Sequence, residues 1–133
     1  MRNGQQRYLD KPAVELGNAV ALVVEVHQDG NQLFLIIKEY ALMDGVANVS
    51  STDVLFMTDT LYPLSAMDMF WTDAGVLKPN GSPFEGSEST NEYLGRQWRR
   101  FSYHRNGVWS PLGNPLLDHF AFMETRWTMR AKP

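Results

Sequence analysis

Ser102 and His104 are the residues whose types and spacing best suit covalent chemistry in this chain. A serine hydroxyl is un-ionised at neutral pH and needs a base within about 2.6–3.2 Å. In an extended stretch, side chains two positions apart point the same way, so Ser102-x-His104 can bring an imidazole to a hydroxyl. The plain alternative is an ordinary loop hydroxyl beside a turn histidine. Around this pair Arg96, Arg99, Arg100 and Arg105 interleave with Trp98, Phe101 and Tyr103. Arginines hold phosphates and aromatics stack bases, so the run has the look of a nucleic-acid patch. It equally suits a solvated face with Trp98 and Phe101 buried, or a surface for an acidic partner. His27, His104 and His119 show no HxH or HxxxH spacing, which points away from a metal site.

The chain has 133 residues and no cysteine. Disulfides, cysteine-based zinc sites, iron–sulfur clusters and thiol catalysis are thereby excluded. The length suits one domain, and 44% hydrophobic residues with a net charge of −3 suit a folded one. No apolar run approaches the ~18 residues of a membrane helix, and Met1–Arg7 lacks the apolar stretch of a signal peptide. A cytoplasmic protein without membrane attachment is expected. The charge is divided along the chain. Residues 1–94 hold five Lys/Arg against thirteen Asp/Glu, whereas residues 95–133 hold seven against two. Such a dipolar chain can offer a basic face to an acidic partner, while the total argues against wholesale nucleic-acid binding.

Residues 1–18 are polar, contain Pro12 and Gly17, and read as a lead-in of at most one helical turn before a domain spanning 19–133. Residues 19–27 and 32–40 are β-rich and flank Asp29-Gly30-Asn31, which predicts a hairpin. Residues 53–57 and 68–72 predict two more strands, with residues 62–66 an extended crossing because Pro63 cannot donate to a ladder. Five Gly/Pro among residues 73–93 predict a long loop. The aromatics of residues 93–103 fit neither period, leaving that stretch irregular or a short helix. Leu116, Leu117, Phe120, Met123 and Trp127 recur at helical spacing, with Pro115 near the start and Arg126 and Arg130 at the end. The predicted class is α+β: a four-stranded antiparallel meander with a C-terminal helix on one face. Met43, Met57, Met67, Met69 and Met123 read as core filler, and Trp71 and Trp109 as core anchors.

Tyr62-Pro63 opening the segment Tyr-Pro-Leu-Ser-Ala-Met-Asp-Met-Phe-Trp-Thr, a long loop, then Trp109-Ser110-Pro111 and a helix, resembles the ubiquitin-conjugating enzyme fold. Met67-Asp68-Met69-Phe70-Trp71 and Gly95-Arg96-Gln97-Trp98-Arg99-Arg100-Phe101-Ser102-Tyr103-His104 are similar to motifs of the bacterial branch called family E. The resemblance covers roughly residues 18–130. The chain departs from the superfamily in three ways. Its catalytic cysteine stands about eight positions before the Trp of Trp-Ser-Pro, which here is Phe101, beside Ser102. Its His-Pro-Asn is only echoed by Lys78-Pro79-Asn80, and the later helices of eukaryotic members have no counterpart after the first long one.

The resemblance implies a transferase needing no cofactor. It would accept the C-terminus of a ubiquitin-like protein from an adenylating activating enzyme and pass it to an amine on a target protein. On this chain the acceptor would be Ser102, forming an oxyester, with His104 as base. Asp68 would be a candidate to orient His104, and Arg96, Arg99, Arg100, Arg105 and Asn80 would face the partner. The rival expectation is a catalytically inactive module that docks the ubiquitin-like protein or the activating enzyme.

Overall fold

The structure, a computed structural model, describes residues 4–103 and 109–131. In chain order it contains α1 (Gly4–Val20), β1 (Val24–Asp29), β2 (Gln32–Ala41), β3 (Ser51–Asp59), β4 (Phe70–Asp73), β5 (Thr90–Tyr93), β6 (Arg96–Phe101) and α2 (Pro115–Ala131). The strands form one antiparallel sheet in the order β1-β2-β3-β4-β6-β5. The α+β class and the C-terminal helix match expectation, but the sheet has six strands rather than four.

The two additional strands come from the end of the expected long loop, residues 90–93, and from the stretch expected to be irregular or a short helix. Their hairpin turns at Leu94 and Gly95, both at positive φ (54° and 76°). Glycine adopts that conformation freely, whereas leucine rarely does, so the usual Asn-Gly or Asp-Gly signature of such a turn is missing. Alternation is present in β6 but disguised by arginine. Trp98 and Phe101 are fully buried on opposite faces, and long arginine side chains occupy the positions between them.

The expected lead-in is instead the 17-residue helix α1. Pro12 removes one bond from its ladder, which made it read as a break. Leu9, Ala13 and Leu16 recur at i, i+4 and i+7 and are all buried, so tertiary packing outweighs the proline. The predicted extended crossing at residues 62–66 is also corrected. Tyr62 N bonds Asp59 O and Leu64 N bonds Leu61 O, closing tight turns there.

Both helices share one face of the sheet. Their core meets Leu33, Leu35 and Ile37 of β2, Phe56 of β3, Phe70 of β4 and Phe101 of β6. On the other face Phe34, Ile36, Leu55, Trp71 and Trp98 form a second core. Five consecutive apolar residues in β2, 33–37, are buried because successive residues serve opposite faces. The β5–β6 hairpin curls over this second core, bringing the Tyr93 ring 5.6 Å from that of Phe34. The buried indoles there keep their donors satisfied: Trp71 Nε1 bonds Asn91 Oδ1 at 3.2 Å and Trp98 Nε1 bonds the Tyr93 carbonyl at 3.1 Å. Trp109 is only half-buried and donates to the Pro63 carbonyl. Met43 is exposed, in contrast to the core role expected of it, whereas Met67 and Met123 are buried. Asn114 caps α2, its side-chain oxygen accepting from Leu117 N at 3.1 Å, with Pro115 as the first helical residue.

Candidate functional site

Ser102 is the first residue beyond β6, where the chain leaves the sheet. Phe101, eight positions before Trp109, is fully buried and faces the helices. Ser102 follows it in a half-buried position. Its backbone N–H and its hydroxyl both donate to the Gly86 carbonyl, at 3.0 and 2.8 Å. His104 and Arg105 lie outside the described residues.

The loop that Ser102 grips, residues 84–88, is fastened at several other points. Arg99 donates to the Ser87 carbonyl at 2.7 Å and to the Ala74 carbonyl at 2.8 Å. The Tyr103 hydroxyl donates to the Glu85 carbonyl. Ser87, fully buried, donates its hydroxyl to the Phe84 carbonyl. Phe84 in turn packs against Phe101 and Trp127. Arg126 of α2 lies over the Tyr103 ring at 4.1 Å, tying the strand exit to the C-terminal helix. The main-chain N–H of Glu88 itself, and then that of Gly86, hold the Glu88 carboxyl below its usual range.

Gly86 is the hinge of this arrangement. It sits at φ +84°, and a Cβ there would lie 3.0 Å from Tyr103 Cε1. Gly86→Ala is therefore expected to cost about 1–2 kcal/mol from the left-handed backbone alone. Urea denaturation checks this. A midpoint equal to that of the unsubstituted protein would show that the loop does not need glycine.

Several of the other candidate residues have local partners. Arg96 bonds Asp53 Oδ2 at 3.1 Å, pairs with Asp73, and stacks on Trp98 at 4.0 Å. Arg99 is committed to carbonyls, as above, and Arg100 is half-buried in β6. Asn80 closes its own turn, its carboxamide oxygen accepting from Ser82 N and Ser82 Oγ. It borders a surface hollow of about 450 Å³ that Phe84 also lines. Asp68 is exposed at the approach to β4. His27 is exposed and bonds Glu25. His119 is fully buried, its Nε2 2.9 Å from the Met69 carbonyl, so this nitrogen carries the proton and His119 serves the core. Sequence reasoning missed the bond from Ser102 to the Gly86 carbonyl and the contact of Arg126 with Tyr103. Only the glycine in a loop of functional length hinted at them.

Chemically, the Ser102 hydroxyl has its proton directed at a main-chain carbonyl, which orients the oxygen without ionising it. Nucleophilic attack requires that proton to move to a base. Among the described residues no helix is long and apolar enough to cross a membrane.

No curated protein and no solved structure matches the chain. The model of the family described as "Prokaryotic E2 family E" matches residues 9–129, nearly the whole chain. The chain therefore belongs to this prokaryotic family of proteins related to ubiquitin-conjugating enzymes.

Proposed function

We propose that this protein is a conjugating enzyme for a ubiquitin-like protein and that Ser102 is its acyl acceptor. Ser102 Oγ attacks the C-terminal carbonyl carbon that the activating enzyme delivers. The new C–O bond forms as the carbon–sulfur or carbon–phosphate-oxygen bond to the activating group breaks, and the hydroxyl proton passes to His104. A target amine then attacks the oxyester carbonyl carbon; the C–N bond forms as the C–O bond to Ser102 breaks, the amine gives up a proton to a base, and Ser102 Oγ takes its proton back from His104. The observation supporting this reading is the position of Ser102 within a chain of the prokaryotic family related to ubiquitin-conjugating enzymes. It is half-exposed at the end of β6, one residue beyond the buried Phe101 and two before His104. Arg100, Arg105 and Asn80 are the proposed partner contacts; Arg96 and Arg99 are engaged by Asp53 and Asp73 and by the Ala74 and Ser87 carbonyls, and stabilise the fold instead.

The bond from Ser102 Oγ to the Gly86 carbonyl favours a second reading, in which the hydroxyl secures the loop and the protein docks its partner without acylation. Incubation with the cognate activating enzyme, ATP and the ubiquitin-like protein separates the two. The acceptor reading expects an adduct that survives thiol, is cleaved by hydroxylamine, and disappears in Ser102→Ala. Ser102→Ala also loses the Gly86 bond, about 1 kcal/mol, so its thermal midpoint is measured alongside. Ser102→Cys is expected to restore an adduct that thiol now cleaves. Saturable binding with no covalent product would instead support docking.

A further inference from the structure

Arg100 differs from Arg96, Arg99 and Arg126 in that the fold does not engage its guanidinium. Arg96 is held by Asp53 and Asp73, Arg99 by the carbonyls of Ala74 and Ser87, and Arg126 lies over the Tyr103 ring. Among the described residues none accepts a hydrogen bond from the Arg100 side chain, and its Nε is buried without a partner. A buried N–H left unpaired costs about 1–3 kcal/mol, which an arriving acceptor would relieve. Arginine also stays charged at any working pH and presents its N–H groups as a planar fork suited to oxygen.

Arg100 shares a face of the chain with Ser102. Phe101 and Tyr103 turn toward the helices, their rings 6.0 Å apart, while Trp98 lies in the core on the opposite face. Alternation therefore puts the side chains of Trp98, Arg100 and Ser102 on one side. Two residues of extended chain separate Arg100 from Ser102 by roughly 7 Å, a gap that a long arginine side chain spans. The main chain of Arg100 is fixed on both sides, by its pairing with Trp71 of β4 and by its N–H, which donates to the Ser89 carbonyl at 3.0 Å.

The proposed transfer needs a donor for the carbonyl oxygen that becomes negative as Ser102 Oγ attacks. Main-chain N–H groups often fill that place, but three of those near Ser102 are taken. Ser102 N donates to the Gly86 carbonyl, Ser87 N to the Phe84 carbonyl and Gly86 N to the Glu88 carboxylate. Arg100 is uncommitted, permanently positive and on the face of Ser102.

We infer that Arg100 is a catalytic residue that holds the acyl carbonyl oxygen of the ubiquitin-like protein's C-terminus; this role rests on Ser102 being the acceptor. As the bond from Ser102 Oγ to the carbonyl carbon forms, the carbonyl electron pair moves onto oxygen, and the guanidinium N–H groups hold the resulting charge. The pair returns to restore the carbonyl as the bond to the activating group breaks. Arg100 keeps its protons throughout, and the Ser102 proton goes to His104.

Single-turnover adduct formation by the full chain tests this, with ATP, the ubiquitin-like protein and the cognate activating enzyme varied to saturation. Arg100→Ala is expected to lower the maximal rate about thirtyfold and to leave the half-saturating concentration unchanged. The loss is smaller than the roughly 10²–10³-fold of an enclosed oxyanion donor because Arg100 is only half-buried. Millimolar guanidinium ion is expected to speed Arg100→Ala at least about fivefold, whereas urea, neutral and of similar shape, does not. Arg100→Lys keeps the stem and the charge, serves where alanine disturbs the fold, and is expected to give an intermediate rate at the same half-saturation. A maximal rate of Arg100→Ala or Arg100→Lys equal to that of the unsubstituted protein overturns the role. So does a loss confined to the half-saturating concentration, or rescue by urea as large as that by guanidinium. If the unsubstituted protein forms no Ser102 adduct, the acceptor reading falls and the role with it, whereas a Ser102 adduct formed unchanged without Arg100 overturns the role alone.

Discussion

Phe101→Ala is expected to lower folding stability by about 3–5 kcal/mol, the largest effect of any single substitution considered for this protein. The ring is fully buried and stacks on Phe70 at 5.0 Å with only 8° between planes. It also meets Trp127 at 5.2 Å and Phe84 at 5.9 Å. Truncation removes the transfer free energy of the ring and leaves a cavity among rigid aromatics that cannot collapse into it. Each lost aromatic pair adds roughly 0.5–1.5 kcal/mol beyond the area buried. A domain of this size is stable by only about 5–15 kcal/mol, so this one change consumes a large share of it. Phe101→Leu keeps most of the volume and is expected to cost less than half as much. Urea denaturation of both variants checks the ordering. A Phe101→Ala cost below about 1 kcal/mol would mean the cluster repacks, contrary to its tight geometry. The consequences reach the site, because Phe101 supports Ser102 from inside while Phe84 anchors the loop on which Ser102 closes.

Asp53→Ala is expected to cost about 2–3 kcal/mol, the second largest effect. The Asp53 side chain is 12% exposed and accepts from Lys38 Nζ at 2.9 Å, Arg96 at 3.1 Å and Glu39 N at 3.0 Å. Glu39 sits at φ 53° in a bulge of β2, where the pairing register with β3 shifts between Ile37 and Tyr40. Asp53 thus holds the bulge and joins β2, β3 and β6 through one carboxylate. Its two cationic partners are about a third exposed, which keeps the expected cost below that of a fully buried pair. Burial alone pushes the Asp53 pKa up, but the Glu39 N–H, then Lys38 and Arg96, outweigh it and hold the carboxyl below its usual value. A depressed folded-state pKa contributes stability in full above the unfolded value, near 4, and loses it as pH falls through the folded value. The unsubstituted protein should therefore weaken in acid more steeply than Asp53→Asn, which retains an acceptor for Glu39 N but cannot titrate. Equal slopes for the two proteins between pH 5 and about 2 would remove Asp53 as the cause.

The elements that were legible share a physical trait: their signal is local. The hairpin around Gly30 was readable because glycine at φ 60° is the ordinary solution for a two-residue turn between β-branched runs. The helix from Pro115 was readable because its apolar stripe and its Asn114 cap lie within a few residues of one another. Where the signal depended on distant partners it failed. Leu94 is held at positive φ by the packing of the hairpin over Phe34 and Trp71, and Pro12 is tolerated because Leu9, Ala13 and Leu16 find the sheet.

The site divides in the same way. Missing cysteine, read from composition, excluded thiol chemistry outright, and the Trp-Ser-Pro and Gly-Arg-x-Trp motifs pointed to the family that the match over residues 9–129 establishes. The run of arginines, by contrast, looked like one basic surface in sequence. Folding separates it, since neighbours on a strand face opposite sides: Arg96 goes to Asp53 and Asp73, and Arg99 to the carbonyls of Ala74 and Ser87. Composition and local pattern alone determined the α+β class and the absence of a thiol, because these depend on residue identity and near neighbours, and the resemblance of two short motifs pointed to the family. Tertiary structure alone decided what Ser102 touches. Its hydroxyl meets the Gly86 carbonyl, sixteen residues away, through a loop whose path is defined by the packing of Phe84 against Phe101 and Trp127 and by the bonds from Arg99 and Tyr103.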